Sequence, residues 1–528
     1  MRGQTSQEAR GDLEWGSIPG LVTKAAEQFR DREAVVDGER RLSYRQLGQE
    51  VERAAAAVIA SNVKPGDRIA IWAPNSLEWI LAALGSVSAG AVLVPINTRF
   101  KGPEAAYILE KSGARMLFTV EDFLGMSYPQ MLEGLAPDTL ERTVTLEDWD
   151  GFVAGAGDAG GAEVESRRSG LRSPALSDII FTSGTTGRPK GVMSTHGQAL
   201  RVFEVWSRMV GLTEGDRYLI VNPFFHTFGY KAGILACLMR GATIVPHAVF
   251  EAASVMDRIA EESITVLPGP PTLYQSILND PTLPERDLSS LRLAVTGAAV
   301  VPVELIRRMR DELAFETILT AYGPTESTGT ATMCRPGDDA ETIATTSGRA
   351  IPDTEVRVVG PGGEPVSSGE AGEVVIRGYN VMRGYHEDPA ATAEAIDADG
   401  WLHTGDAGVM DDRGYLRITD RLKDMFIVGG FNAYPAEIEN GLLAHPSVGQ
   451  VAVVGAPDER LGEVGVAFVV PRPDQTVDPE GLVAWARDRM ANYKVPRRIV
   501  VVDSLPMNAS GKVLKYELRE RAARPEGG

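Results

Sequence analysis

Apolar and polar positions alternate between two periods over the first 120 residues. RIAIWAP (68–74), AVLVPIN (91–97) and ARMLFTV (114–120) are short β-rich runs. Helical spacing fills the gaps at 76–89 and 103–112, and a helix behind the polar Ser43 precedes them over 44–61. Strand alternating with helix predicts βαβ units and a parallel sheet with helices on its faces. Residues 151–177 are rich in Gly, Ala, Ser and charge, and read as a long surface loop.

The alternation then resumes. Strands are expected at 178–184, 217–223, 242–247, 264–269, 291–297 and 316–323, with helices at 197–209, 228–240, 252–262, 270–279 and 302–313. From about 345 short strands and turns take over, as in EVRVVGPGGEPV, GEVVIRG and GYLRITD, which reads as a β-rich subdomain. After Asp420 the pattern turns mixed, with strands in VGQVAVVGAP and GVAFVV and a helix at 479–491. The expected fold class is α/β. A large N-terminal domain, 1–420, holds two α/β layered subdomains and a β-rich subdomain over about 345–420. A small α+β C-terminal domain follows at 421–528.

Charge sharpens that division. The chain has 528 residues and a net charge of −19. Residues 421–528 hold 14 charges of each sign, so residues 1–420 carry the whole excess. The acidic balance argues against nucleic acid and against an anionic membrane surface as partners. Cys237 and Cys334 are too few for a disulfide framework and sit in apolar surroundings, as structural thiols do. The polar N-terminus has no apolar core of a signal peptide. Residues 79–97 are uncharged but broken by Gly85, Ser86, Ser88 and Gly90. They read as a short helix and a strand, not a membrane span. A cytoplasmic protein without integral membrane contact is expected.

Five segments carry candidate chemistry. Thr182-Ser183-Gly184-Thr185-Thr186-Gly187-Arg188-Pro189-Lys190-Gly191 follows a strand. Its glycines let several N–H groups converge, and its hydroxyls and Lys190 suit phosphate oxygens. It departs from the Walker A pattern on both sides of the lysine. Ala321-Tyr322-Gly323-Pro324-Thr325-Glu326-Ser327 ends a strand, where open α/β sheets bind ligands. Tyr322 offers a flat face for a purine, Thr325 a hydroxyl, and Glu326 a hard oxygen for Mg²⁺. In Trp401-Leu402-His403-Thr404-Gly405-Asp406 the carboxylate after a glycine turn suits ribose hydroxyls. Asp420-Arg421-Leu422-Lys423-Asp424 precedes Gly429-Gly430, and Pro506-Met507-Asn508-Ala509-Ser510-Gly511-Lys512 closes the set.

In this order and spacing the five segments resemble the adenylate-forming superfamily: acyl-CoA synthetases, luciferase-like enzymes and peptide-synthetase adenylation domains. The resemblance runs from about residue 20 to 517. Within it, VNPFFHTFGYKAGI and FIVGGFNAYPAEIEN look most like actinobacterial ligases for steroid-ring-derived propionates. It implies an AMP-forming acyl-CoA ligase that activates a bulky alicyclic or polycyclic acid with ATP and Mg²⁺, then transfers the acyl group to coenzyme A. Residues 182–187 and Lys190 would hold the β- and γ-phosphates. Thr325 would touch the α-phosphate and Glu326 would hold Mg²⁺. Tyr322 and Gly297-Ala298-Ala299 would flank adenine, and Asp406 and Arg421 would hold the ribose. Lys512 would bridge the carboxylate and the α-phosphate. The C-terminal domain would be a mobile lid turning about Lys423, bringing Gly429-Gly430 to the pantetheine arm. His226, as an aromatic gate, with Phe228, Tyr230 and Thr296 would form the acyl pocket, and Lys231 could reach a distal polar group on the acid. Lys494, Arg497 and Arg498 could face CoA phosphates or plain solvent.

Two departures are visible. The adenine turn has Ala298-Ala299 where Gly-Ala is commoner, and Asp420 stands where Gly is common before Arg421. They leave open an enzyme that only thioesterifies a preformed acyl-adenylate. A medium- or long-chain fatty acid ligase is the other alternative. The expected partner is a small-molecule carboxylic acid or its acyl-adenylate, and a homodimer stays open.

Overall fold

The computed structural model describes residues 10–156, 161–182, 189–297, 301–421, 424–428, 431–458, 460–487, 489–490, 492–507 and 513–523. The chain divides into two compact units, Met1–Val356 with Ile376–His403, and Arg357–Val375 with Thr404–Gly528.

Two sheets build the first unit. One has seven strands in the order Gly384–Tyr385, Lys190–Thr195, Leu176–Thr182, Val92–Pro95, Arg68–Trp72, Ala114–Thr119 and Arg142–Thr145. Its last five strands run parallel, as the alternating pattern predicts, and Lys190–Thr195 folds back antiparallel on Leu176–Thr182. The second sheet comes in two four-stranded pieces. The first runs Arg217–Ile220, Thr243–Pro246, Glu33–Asp37 and Arg40–Ser43; the second runs Leu293–Gly297, Thr317–Tyr322, Thr332–Met333 and Arg349–Ala350. Val266 joins the pieces by bridging Tyr218 and Leu293.

The strand expected over 264–269 is reduced to that bridge. Pro268 and Pro270 have no N–H to give a ladder. Helix Leu77–Ser88 touches Arg68–Trp72 and Val92–Pro95 of one sheet and Glu33–Asp37 of the other. It is buried along its whole length except at Glu78, which explains the uncharged stretch from Trp79. Gly85 lets it approach the neighbouring helix, since a Cβ there would lie 2.5 Å from that of Ala54. No described helix is long and apolar enough to cross a membrane. Cys237 and Cys334 are buried free thiols, and burial pushes both up from the ordinary thiol range.

The loop expected over 151–177 is a correction. It contains the end of helix Trp149–Ala154 and all of helix Gly161–Gly170. Composition is poor for a helix there, yet Val164 is buried and Arg167 donates to the carbonyls of Val63 and Ala89. Tertiary anchoring overrides weak local propensity.

The second unit carries the antiparallel pairing of Leu402–Met410 with Leu416–Arg421 within the β-rich region. It continues into a five-stranded sheet in which Val448–Asp458 and Gly462–Pro471 pair antiparallel and Arg498–Val501 adds in parallel. Alternation assigns its two faces. Val453, Ala467 and Val469 pack with Ile438, Leu442, Leu482 and Ala486 of two helices. Ala452, Val454, Val466 and Phe468 pack with Leu518 and Ala522 of the last helix.

Candidate active site

The phosphate-loop candidate lies between two strands that pair antiparallel. Thr182 ends strand Leu176–Thr182, Lys190 opens strand Lys190–Thr195, and the two residues face each other in register. Residues 183–188 lie outside the described residues, so Ser183, Gly184, Thr185, Thr186 and Gly187 do too. Pro189 is fixed from the side, where its carbonyl accepts from the Tyr107 hydroxyl at 3.2 Å.

Strand Thr317–Tyr322 delivers the second motif. It runs parallel to Leu293–Gly297, pairing Thr296 with Thr320 and Gly297 with Ala321. Gly297 therefore sits beside Ala321, one residue from Tyr322. A side chain at 297 is excluded twice. Its φ is +149, and a Cβ would lie 2.8 Å from the Ala321 carbonyl oxygen. Ala298 and Ala299 lie outside the described residues. After Tyr322 the chain turns tightly into the 3-10 turn Thr325–Ser327, with Ser327 and Gly329 both donating to the Pro324 carbonyl. Gly323 makes this turn fit, because a Cβ there would stand 2.5 Å from the Thr330 backbone.

The turn presents Glu326 to the hairpin. Its Oε1 accepts from the Thr182 hydroxyl at 3.4 Å and from the Tyr385 hydroxyl at 3.0 Å. The Lys190 ammonium lies 5.1 Å from the Tyr385 ring centre. Burial, then the Glu326 charge, pushes the Tyr385 phenol well up, so it stays a donor. Two segments 144 residues apart thus meet at one carboxylate. Tyr385 was missed by sequence reasoning. Its signal was a Gly-Tyr pair after Met382-Arg383, with nothing local to give it chemistry.

The donor set suits Mg²⁺. That ion takes one or two carboxylates and completes its shell with waters and substrate phosphates. Glu326 is a partly exposed carboxylate beside the phosphate hairpin. Among the described residues no cluster of three His, Cys, Asp or Glu side chains competes as a closed metal cage.

The acyl-pocket candidates lie on one segment and one strand. His226 is exposed, and its Nδ1 accepts from the Phe228 N–H at 3.2 Å. Its carbonyl accepts from the Tyr230 N–H, an α-type bond at the entry to the π-helix Phe228–Leu235. Such wide turns frequently occur at functional sites. Phe228 meets Trp206 edge to face. Tyr230 is wholly buried against Trp79. Its hydroxyl and that of buried Thr296 find no hydrogen-bond partner among the described residues. Lys231 is fully buried, and its ammonium lies 2.8 Å from Asp178 Oδ1.

The ribose candidates belong to the second unit. Asp406 pairs in register with Arg421 across Leu402–Met410 and Leu416–Arg421. Asp406 is buried, and its N–H donates to the Thr404 hydroxyl at 3.1 Å. Gly405 keeps a φ of +67 within the strand, and its N–H donates to Glu373. One guanidinium N–H of Arg498 donates to the Ala522 carbonyl at 2.6 Å. Lys423, Gly429, Gly430 and Lys512 lie outside the described residues.

The AMP-binding enzyme family matches residues 22–386, and the AMP-binding enzyme C-terminal domain matches residues 437–512. The chain belongs to the AMP-binding enzyme family. A 3-[(3aS,4S,7aS)-7a-methyl-1,5-dioxo-octahydro-1H-inden-4-yl]propanoyl:CoA ligase of Rhodococcus jostii (strain RHA1) is 50% identical over 96% of this chain and 98% of its own length. The enzyme of the same name from Mycobacterium tuberculosis (strain ATCC 25618 / H37Rv) is 49% identical over 96% and 98%. The solved structure of an anthranilate CoA ligase in complex with anthranoyl-AMP superposes with a TM-score of 0.87 at 27% identity, covering 98% of this chain and 99% of that one. This AMP-binding enzyme is an acid–thiol ligase with the adenylate-forming fold: a large N-terminal domain and a smaller C-terminal one.

Proposed function

We propose that this enzyme joins a fused-ring alicyclic propionate, of the kind in its relatives' names, to coenzyme A. The observation that carries the reading is half identity, end to end, with two ligases named for that bicyclic acid. In the first step a carboxylate oxygen attacks the α-phosphorus of ATP and pyrophosphate leaves. In the second the CoA sulfur attacks the acyl carbon and AMP leaves.

The chain's own residues act mainly by positioning and charge neutralisation, which dominate such transfers. Tyr322, Gly297, Ala298 and Ala299 flank the base. Asp406 and Arg421 hold the ribose. Lys190 and residues 182–187 grip the β- and γ-phosphates, and Thr325 the α-phosphate. Glu326 would hold Mg²⁺, which when bound neutralises phosphate charge. Lys512 brings carboxylate and α-phosphate together against their repulsion. Because charge builds on the α-phosphoryl oxygens, its cation favours the transition state over the ground state.

The second step needs the thiol where Lys512 stood. Domain alternation about Lys423 exchanges Lys512 for Gly429-Gly430 beside the pantetheine arm. His226, Phe228, Tyr230 and Thr296 face the acid, and the unpartnered hydroxyls of Tyr230 and Thr296 suit an acid with polar ring substituents. The setting is cytoplasmic.

Lys512→Ala separates the half-reactions. Pyrophosphate release from acid and ATP without CoA falls by about 10²–10³, the usual loss of one preorganised charge-stabilising group. Thioester formation from a preformed acyl-adenylate stays within a small factor of wild type. Equal loss in both steps contradicts the assignment. Wild-type protein that releases no pyrophosphate without CoA favours the thioesterification-only alternative.

A further inference from the structure

We propose that Tyr385 is the positioning residue of the metal carboxylate, its hydroxyl aiming Glu326 at Mg²⁺ and its ring seating Lys190 over the same phosphates. The inference rests on the proposed use of Mg·ATP.

The residue is held on every side by backbone and by Thr392. Strand Gly384–Tyr385 pairs with Lys190–Thr195, setting Tyr385 against Val192 and Gly384 against Met193. The Tyr385 N–H donates to the Thr392 hydroxyl at 2.9 Å, and Thr392 donates onward to the Asp388 carbonyl at 2.8 Å. Gly384, at φ +133, lets Thr392 come this close; a Cβ there would lie 2.8 Å from its methyl. On either flank, the Met382 N–H donates to the Glu326 carbonyl and the His386 N–H to the Gly191 carbonyl, at 2.8 and 2.7 Å. The segment is thus stitched both to the turn bearing Glu326 and to the strand bearing Lys190.

A carboxylate with one oxygen fixed by two hydroxyls cannot swing, so its other oxygen keeps one direction. Metal-ligating carboxylates are themselves hydrogen-bonded, and removing such an outer partner typically costs 10–100-fold in metal affinity. The ring has a second use. An ammonium resting on an aromatic face is pre-oriented without a competing anion, ready for phosphate.

Calorimetry of ATP binding to the full chain, with and without Mg²⁺, tests this. Tyr385→Phe keeps the ring and loses the hydroxyl. It is expected to cut the Mg²⁺-dependent gain in ATP affinity about tenfold, leaving metal-free ATP and AMP binding unchanged. Tyr385→Leu also loses the seat of Lys190 and is expected to weaken metal-free ATP binding as well. Because Tyr385 acts through Glu326, the pair Y385F/E326Q should bind Mg·ATP no worse than E326Q alone. Additive losses overturn the inference, as does Y385F binding Mg·ATP like wild type, or wild type gaining nothing from Mg²⁺. Failure of the ligase reading looks different: no acid yields a thioester, while the Mg²⁺ dependence of ATP binding is intact.

Discussion

His196 shows how far a side chain can be governed by packing alone. It is fully buried, its Nδ1 accepts from the Ile18 N–H at 3.2 Å, and its Nε2 finds no partner among the described residues. Burial, then the nearby Lys231 cation, pushes it down from 6.5 to about 3. The unfolded chain therefore binds a proton that the folded chain refuses between those values. Its contribution is fully present above pH 6.5 and is lost as pH falls towards 3, on the order of 5 kcal/mol in all. His196→Asn keeps an acceptor for Ile18 and removes the titration. Its melting temperature should fall less steeply than wild type between pH 6.5 and 4; parallel curves would falsify this. At this scale the sequence was legible wherever chemistry is local. Thr182, Lys190, Tyr322 and Glu326 announced themselves by motif, and the structure sets Thr182 and Glu326 at one point. Tyr385 stayed hidden because its partner lies 59 residues away.

Among elements, the π-helix Phe228–Leu235 is tied to the strand that leads into the phosphate hairpin. The tie is Lys231 to Asp178, both fully buried, with Ser177 donating to the other Asp178 oxygen at 2.6 Å. Sequence spacing offered Lys231 to the substrate, because an apolar helix gives no hint of a buried anion across the fold. Breaking such a pair leaves an uncompensated buried charge. Lys231→Met should therefore destabilise the first urea transition by about 3–5 kcal/mol. Asp178→Asn with Lys231→Met should recover most of that, since neutral polar burial is far cheaper and Asn still accepts from Ser177. A double variant no more stable than the single would show that the ion pair itself carries the stability. Strands and helices were otherwise read well where periodicity was strong. The failures lie at 161–170, where burial of Val164 and the reach of Arg167 make a helix that composition disfavours, and at 264–269, where prolines thin a strand to one bridge.

Across the whole molecule the −19 charge and the polyphosphate chemistry are compatible, because phosphates are met by local donors and a few lysines, not by net charge. The two-part architecture was legible in the switch from α/β to β-rich to α+β patterning. The acid was not, because an acyl pocket is assembled from residues far apart in the chain. The size proposed for it rests on relatives sharing half the residues over nearly the full length. That makes a bulky fused-ring propionate the central claim. The most direct test supplies wild-type enzyme with ATP, Mg²⁺ and CoA, and compares kcat/KM for a methyl-dioxo-octahydroindene propionate with medium- and long-chain fatty acids and aromatic acids. CoA thioester is expected from the bicyclic acid with a kcat/KM at least about tenfold above every other acid, roughly 1.4 kcal/mol of transition-state discrimination. A fatty or aromatic acid used as well or better contradicts it.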